Sequence, residues 1–242
     1  MSRQDGPDLV LALHGTRSEA GQLVAGALVA AVASRLPGVR VHLGWADVLT
    51  PTLTDVLARL GDAVVVPCFL TAGYHVTSDL PAAVEAAGGR AMLAPLIGPG
   101  LLAAVADRVR EAGVGDAVVL AAAGSRRARS VAEVGRAAGA LALLLGVPVV
   151  PAFVTSARPG VGEAVAALRA DGHRRVVVAS YLLAPGVFAD RLHEAGADAV
   201  SAPIGVHPLV VEAAISAYSC VVAEEHDTAA ALATAPGVER IA

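Results

Sequence analysis

An α/β fold made of two similar, doubly wound parallel-sheet units is predicted by three observations. Short runs rich in valine, leucine and alanine alternate with longer alanine-rich helical stretches. The runs are almost continuously apolar, as strands covered on both faces must be. The whole pattern also occurs twice, at a spacing of about 108 to 113 residues.

The strand candidates are residues 9–13, 39–45, 63–69, 91–94, 117–122, 147–153, 175–181 and 199–202. Helical stretches lie between them at 18–36, 52–60, 80–87, 101–112, 130–145, 160–170, 190–195 and 208–223. The repeat supports this division. Leu9-Val-Leu-Ala-Leu-His-Gly-Thr-Arg17 aligns with Val118-Val-Leu-Ala-Ala-Ala-Gly-Ser-Arg126, and Val41–Pro51 aligns with Val149–Pro159. Phe69-Leu-Thr-Ala aligns with Tyr181-Leu-Leu-Ala, and Leu96-Ile-Gly98 with Pro203-Ile-Gly205. In-order matches of this kind describe a four-stranded unit present in two copies. The expected organisation is a first half at 1–113, a second at 114–224 and a tail at 225–242.

Composition narrows the function classes. The chain has 242 residues, enough for each half to bury a core, and is 55% hydrophobic but only 3% aromatic. All 18 basic residues are arginine and the net charge is −4, with no basic stripe, which argues against nucleic acid as a partner. No secretory h-region opens the chain. The two cysteines, Cys68 and Cys220, form no CxxC pair, so a reducing cytoplasm is expected. Residues 137–154 carry no charge, but Gly146 and Pro148 interrupt them, and a helix end followed by a buried strand is expected rather than a membrane span. No glycine-rich phosphate loop follows any strand, which disfavours a nucleotide-binding protein.

The repeat acts as an internal control. Gly15 matches Gly124 and Pro51 matches Pro159, as backbone requirements of the fold would. The mismatches point to chemistry. His14 faces Ala123, Asp47 faces Thr155, and His75 faces Val187 or Phe188. All three polar residues fall just beyond the carboxyl ends of parallel strands, where open α/β sheets bind ligands. Two imidazoles suit a first-row divalent metal, a carboxylate can complete the set, and neutral imidazole accepts protons near pH 7. Those residue types alone indicate a metal site. The remaining histidines, His42, His173, His193, His207 and His226, lie at positions more typical of structural or surface roles.

At Leu13-His14-Gly15-Thr16-Arg17 and at Pro67-Cys-Phe-Leu-Thr-Ala-Gly73-Tyr74-His75-Val-Thr-Ser-Asp79-Leu-Pro81 the sequence resembles the sirohydrochlorin chelatases, over roughly residues 8 to 222. These enzymes insert iron for siroheme or cobalt for cobalamin. The resemblance implies a two-domain chelatase-like fold with a cleft between the halves, and a lyase reaction in which a divalent metal enters the ring as two pyrrole protons leave. It implies His14 and His75 as metal-binding, catalytic residues, and Asp47 as a shorter stand-in for the family's glutamate. No organic cofactor is implied; Fe2+ or Co2+ is a substrate, beside the tetrapyrrole. The chain resembles the long, fused form, so a monomer or weak homodimer is expected. It has neither a His-rich tail nor a terminal cysteine motif, which favours iron. Sirohydrochlorin carries many carboxylates, and Arg17, Ser125 and Arg126, at two matching helix starts, are the expected groups to hold them. A tetrapyrrole or metal carrier without turnover is the alternative of a different class.

Overall fold

In the computed structural model, which describes residues 6–234 and side chains as far as Asp227, each half forms a four-stranded parallel sheet. The first contains β1 (Asp8–Leu13), β2 (Val41–Trp45), β3 (Ala63–Pro67) and β4 (Ala91–Leu93), in the order β2-β1-β3-β4. The second contains β5 (Ala117–Ala122), β6 (Val149–Phe153), β7 (Val176–Tyr181) and β8 (Ala199–Val200), in the same relative order. The helices are α1 (Glu19–Arg35), α2 (Leu53–Leu57), α3 (Leu80–Ala86), α4 (Leu102–Ala112), α5 (Ala128–Leu145), α6 (Val161–Ala170), α7 (Val187–Leu192) and α8 (Pro208–Thr234).

The two-residue period of a strand divides the cores. Leu9, Leu11 and Leu13 of β1 join Val118, Leu120 and Ala122 of β5 in one central cluster that runs through both halves. Val10 and Ala12 turn the other way, onto α2 and α3, in a cluster confined to the first half. Val119 and Ala121 do the same against α6 in the second. Burying these strands on both faces requires apolar residues at every position, which explains the lack of alternation in the sequence.

The helices that close the two repeats are exchanged. α4 packs on β7 and α5, while α8 packs on β3 and α1. Arg108 of α4 donates from Nε and Nη2 to the Ile204 carbonyl, and His207, at the start of α8, lies 3.5 Å from Asp107. Each half of the chain therefore completes the other's helical layer.

Several element ends differ from the sequence expectation. β2 begins at Val41, β3 stops at Pro67, and α7 starts at Val187. α8 continues to Thr234, so the expected tail boundary near residue 225 falls inside a helix; residues 235–242 lie outside the described residues. Sheet register corrects one alignment by a residue. Ala12 pairs with Pro67 and Ala121 with Ser180, so Phe69 corresponds to Leu182 rather than Tyr181. Carried forward, the register matches Tyr74 to Val187, where both helical segments begin, and His75 to Phe188. Among the described residues no helix is long and apolar enough to cross a membrane.

Candidate functional site

The carboxyl ends of β1 and β3 deliver His14 and His75 to one rim. His14 follows the last residue of β1, and the turn after it is enforced by Gly15, whose φ is +99°. A Cβ at Gly15 would lie 2.2 Å from the Asp47 carbonyl oxygen, so no larger residue fits without moving the β2 loop. The Asp47 amide donates to the His14 carbonyl at 3.0 Å, locking the two loops together. The second half repeats this bond for bond. Gly124 has φ +103°, a Cβ there would meet the Thr155 carbonyl oxygen at 1.8 Å, and the Thr155 amide donates to the Ala123 carbonyl at 3.0 Å. Pro51 and Pro159 both follow cis peptide bonds. The backbone is thus common to the halves, and the imidazoles belong to one.

His75 opens a single wide turn, His75–Asp79, in which the Leu80 amide reaches the His75 carbonyl five residues back. That π-helical turn precedes α3 and is of a kind often found at functional sites. It brings the Asp79 carboxylate to 2.6 Å from His75 Nδ1. A carboxylate there holds the proton on Nδ1 and leaves Nε2 as the lone-pair nitrogen. The His14 and His75 ring centroids are 4.6 Å apart, with the planes tilted by 46°. Phe69, at 6.4 Å, and the edge of Tyr74, at 5.9 Å, flank His75.

His14 is held below the usual imidazole range. Partial burial of the ring is the first cause and the neighbouring His75 the second, while the Asp47 carboxylate pulls the other way. The ring is therefore neutral at pH 7, the form that coordinates a metal or accepts a proton. Cys68 also lines the cleft, but burial pushes its thiol up to about 12, which keeps it protonated and a poor ligand.

The histidines face a cleft of about 700 Å3 lined by both halves. Its walls include Leu13, Trp45, Leu70, Phe153, Leu182 and Phe188. A cavity with mostly apolar walls and a few convergent polar groups is suited to a large flat ligand. Arg17 and Arg126 line it from opposite halves, at matching positions after β1 and β5, and neither makes a hydrogen bond or ion pair with a described residue. Ser125 also lines the cleft; its Oγ accepts from the Arg127 amide at 3.1 Å, as Thr16 Oγ1 accepts from Ser18 at 3.2 Å.

Asp47 is placed differently from the other two. It is exposed, and its Oδ1 accepts from the Val48 amide at 2.7 Å. It acts on His14 electrostatically, but among the described residues no three His, Cys, Asp or Glu side chains are gathered closely enough to hold a metal ion. The structure thus brings together two of the three residues expected at the rim.

Sequence reasoning missed Asp79 and Arg127. The His75-x-x-x-Asp79 spacing was the available signal for the first. Arg127 crosses between the halves, with its guanidinium 5.5 Å from the Tyr74 ring centroid and Nη2 3.2 Å from Ser78 Oγ. Of the other histidines, His42 lies 3.4 Å from Asp8, His173 3.8 Å from Asp116, and His226 Nδ1 2.7 Å from the Val222 carbonyl, while His193 is exposed just past α7.

Two repeated parallel sheets that share a cleft, with paired imidazoles on one rim, define a protein of the chelatase fold. The CbiX family model matches residues 8–112 and again 117–219, one copy in each half, and the chain belongs to that family. Solved structures agree on the fold. SirB from Bacillus subtilis with Fe3+ superposes with a TM-score of 0.76 at 22% identity, covering 92% of this chain and 98% of that one. SirB from Bacillus subtilis subspecies spizizenii, described as a sirohydrochlorin chelatase in complex with cobalt, gives 0.74 at 20% identity over 92% and 98%. CbiX described as the terminal enzyme of siroheme biosynthesis in denitrifying bacteria gives 0.63 at 22% identity over 87% and 99%. No curated protein sequence gives a match.

Proposed function

We propose that the protein is a sirohydrochlorin chelatase that inserts Fe2+ into the ring to form siroheme. The supporting observation is the pair of imidazoles 4.6 Å apart on the cleft rim, with Ala123 and Phe188 in their places in the second half. The apolar walls take the faces of the macrocycle. Arg17 and Arg126, with the Ser125 hydroxyl, take its carboxylates, in charge-assisted bonds stronger than neutral ones. The metal is held by His14 and His75, whose rings are close enough for one nitrogen of each to reach a single ion at the roughly 2.0–2.1 Å typical of a metal–imidazole bond. Asp79 orients the His75 ring and fixes which nitrogen faces the metal. Asp47 supports the charge near His14 from the rim.

The reaction balances as sirohydrochlorin plus M2+ giving the metallated ring plus two protons. Neutral His14 is placed to accept one of those protons as the ion moves from imidazole to pyrrole nitrogen. Cobalt is the second reading, because a similar protein has been described in complex with cobalt and another with Fe3+. An anaerobic absorbance assay tests both. Sirohydrochlorin is mixed with Fe2+ or Co2+, with and without protein. Metallation faster than the protein-free rate supports the chelatase, and the ratio of rates ranks the metals. Binding of the tetrapyrrole without acceleration points to a carrier and overturns the proposal.

A further inference from the structure

The second half has lost the imidazoles, yet it grips the segment that carries His75. Tyr181 Oη donates to the Leu70 carbonyl at 3.2 Å. Ser130 Oγ donates to the Ala72 carbonyl at 2.9 Å, and the Ala72 amide donates to Glu133 Oε2 at 3.0 Å. Only Gly73 and Tyr74 separate Ala72 from His75, and a side chain at Gly73 would meet open space. The segment is therefore held at its main chain, from across the cleft, just before the functional histidine.

The pseudo-symmetric contact on the other side is built differently. By register, Gly21 stands where Ser130 does, Val24 where Glu133 does, and Cys68 where Tyr181 does. The segment they face has Pro185 in place of Ala72, and proline has no amide to donate. There, among the described residues, the halves meet by close approach without a hydrogen bond: a Cβ at Gly21 would lie 2.5 Å from the Pro185 carbonyl oxygen. The polar clamp is thus confined to the side that carries His75. Burial first, and the neighbouring Glu133 charge second, push the Tyr181 hydroxyl up to about 12, and Glu133 is held in turn by Arg129 at 3.4 Å.

We propose that Glu133 and Ser130 are positioning residues that fix the His75 segment relative to His14, so that the half without metal ligands sets the spacing of the metal site. The role rests on the reading of His14 and His75 as the pair that handles the metal. A main chain bonded at both its N–H and its C=O has little freedom, and displacement of a catalytic group by about 1 Å can cost 10²-fold in rate.

The test compares Glu133→Ala, Glu133→Gln and Ser130→Ala with wild type in two measurements: Co2+ affinity by anaerobic calorimetric titration, and metallation kinetics. Glu133→Ala is expected to weaken Co2+ binding and lower kcat about tenfold while KM for sirohydrochlorin changes less than about threefold, the scale of losing an outer partner of a metal ligand. Glu133→Gln keeps an acceptor oxygen for the Ala72 amide and is expected to return both values to within about threefold of wild type. Ser130→Ala should shift both in the same direction by less. Glu133→Ala with wild-type affinity and kcat overturns the proposal, as does equal damage from Ala and Gln. If Glu133→Ala does not fold, Ser130→Ala decides: wild-type values in both measurements overturn it. If wild type binds Co2+ but metallates nothing, the chelatase reading fails, and the affinity measurement still judges the clamp.

Discussion

The two halves share a backbone down to individual bonds, and their rims have different contents. After β1 stand His14, Gly15 and Arg17; after β5 stand Ala123, Gly124 and Arg126. The glycine, the loop-locking amide bond, the cis proline and the arginine are kept in both. The imidazoles, Asp47 and Asp79 occur in the first half only, with Ala123, Phe188, Thr155 and Leu192 at the corresponding places. Conversely, Arg127, Ser130 and Glu133 occur in the second half only, opposite Ser18, Gly21 and Val24. The glycine, the amide bond and the cis proline, present in both halves, serve the fold, while Arg17 and Arg126, also present in both, line the cleft from either side. Under the proposed function, the features present in one half alone divide between handling the metal, in the first half, and holding the His75 segment, in the second.

The largest expected effect separates the rims most sharply. His14→Ala or His75→Ala should reduce metallation to the protein-free rate, whereas Ala123→Ser at the matching place in the second half should leave it within about twofold of wild type, as expected for a change that makes no contact with the metal. Strong activity in either histidine variant breaks the division of labour. Next is Asp79→Asn, which removes the carboxylate charge facing His75 Nδ1. A fall of about 10- to 100-fold in turnover or metal affinity is expected, measured by the same assay and a Co2+ titration. Charge reversal comes third. Arg17→Glu and Arg126→Glu should each raise KM for sirohydrochlorin about tenfold or more with kcat little changed, since a charge-assisted bond is worth about 1.5–3 kcal/mol. Collapse of kcat with KM intact would place an arginine in the chemistry.

The smallest effect concerns stability at the opposite end of the sheets. In the second half, the Asp198 carboxylate accepts from the Val176 amide and pairs with Arg169, and those contacts hold it below the ordinary carboxylate range. The matching amide in the first half, that of Ala63, bonds to the Arg90 main chain instead. A folded pKa below the unfolded one contributes stability that is present above the unfolded value, about 3.9, and is lost as pH falls through the folded value. Asp198→Asn should therefore lower Tm at pH 7, and the gap to wild type should close below about pH 4 in a thermal melt series.

Much of this was legible in the chain before the structure. The apolar runs marked the strands, the repeat marked the two sheets, and the strand ends marked His14 and His75. The parts that were not legible share a physical cause. Ser130 and Glu133 meet Ala72 from 58 and 61 residues away, and no local pattern encodes such a contact. The apolar faces of α4 and α8 signal burial without saying which sheet covers them, so their exchange between halves was hidden. The Asp79 pairing depends on a wide helical turn that begins before the expected helix at residue 80. Asp47 was expected at the rim, but its carboxylate is exposed and accepts from the Val48 amide rather than joining the two imidazoles.

Under the proposed function a pseudo-symmetric molecule handles metal with one half alone, and stoichiometry tests this most directly. Anaerobic titration of wild-type protein with Co2+ should saturate at one ion per chain, and the His14→Ala/His75→Ala double variant should bind none at the same concentrations. Two equivalent ions per chain, or one ion bound equally well by the double variant, would contradict it.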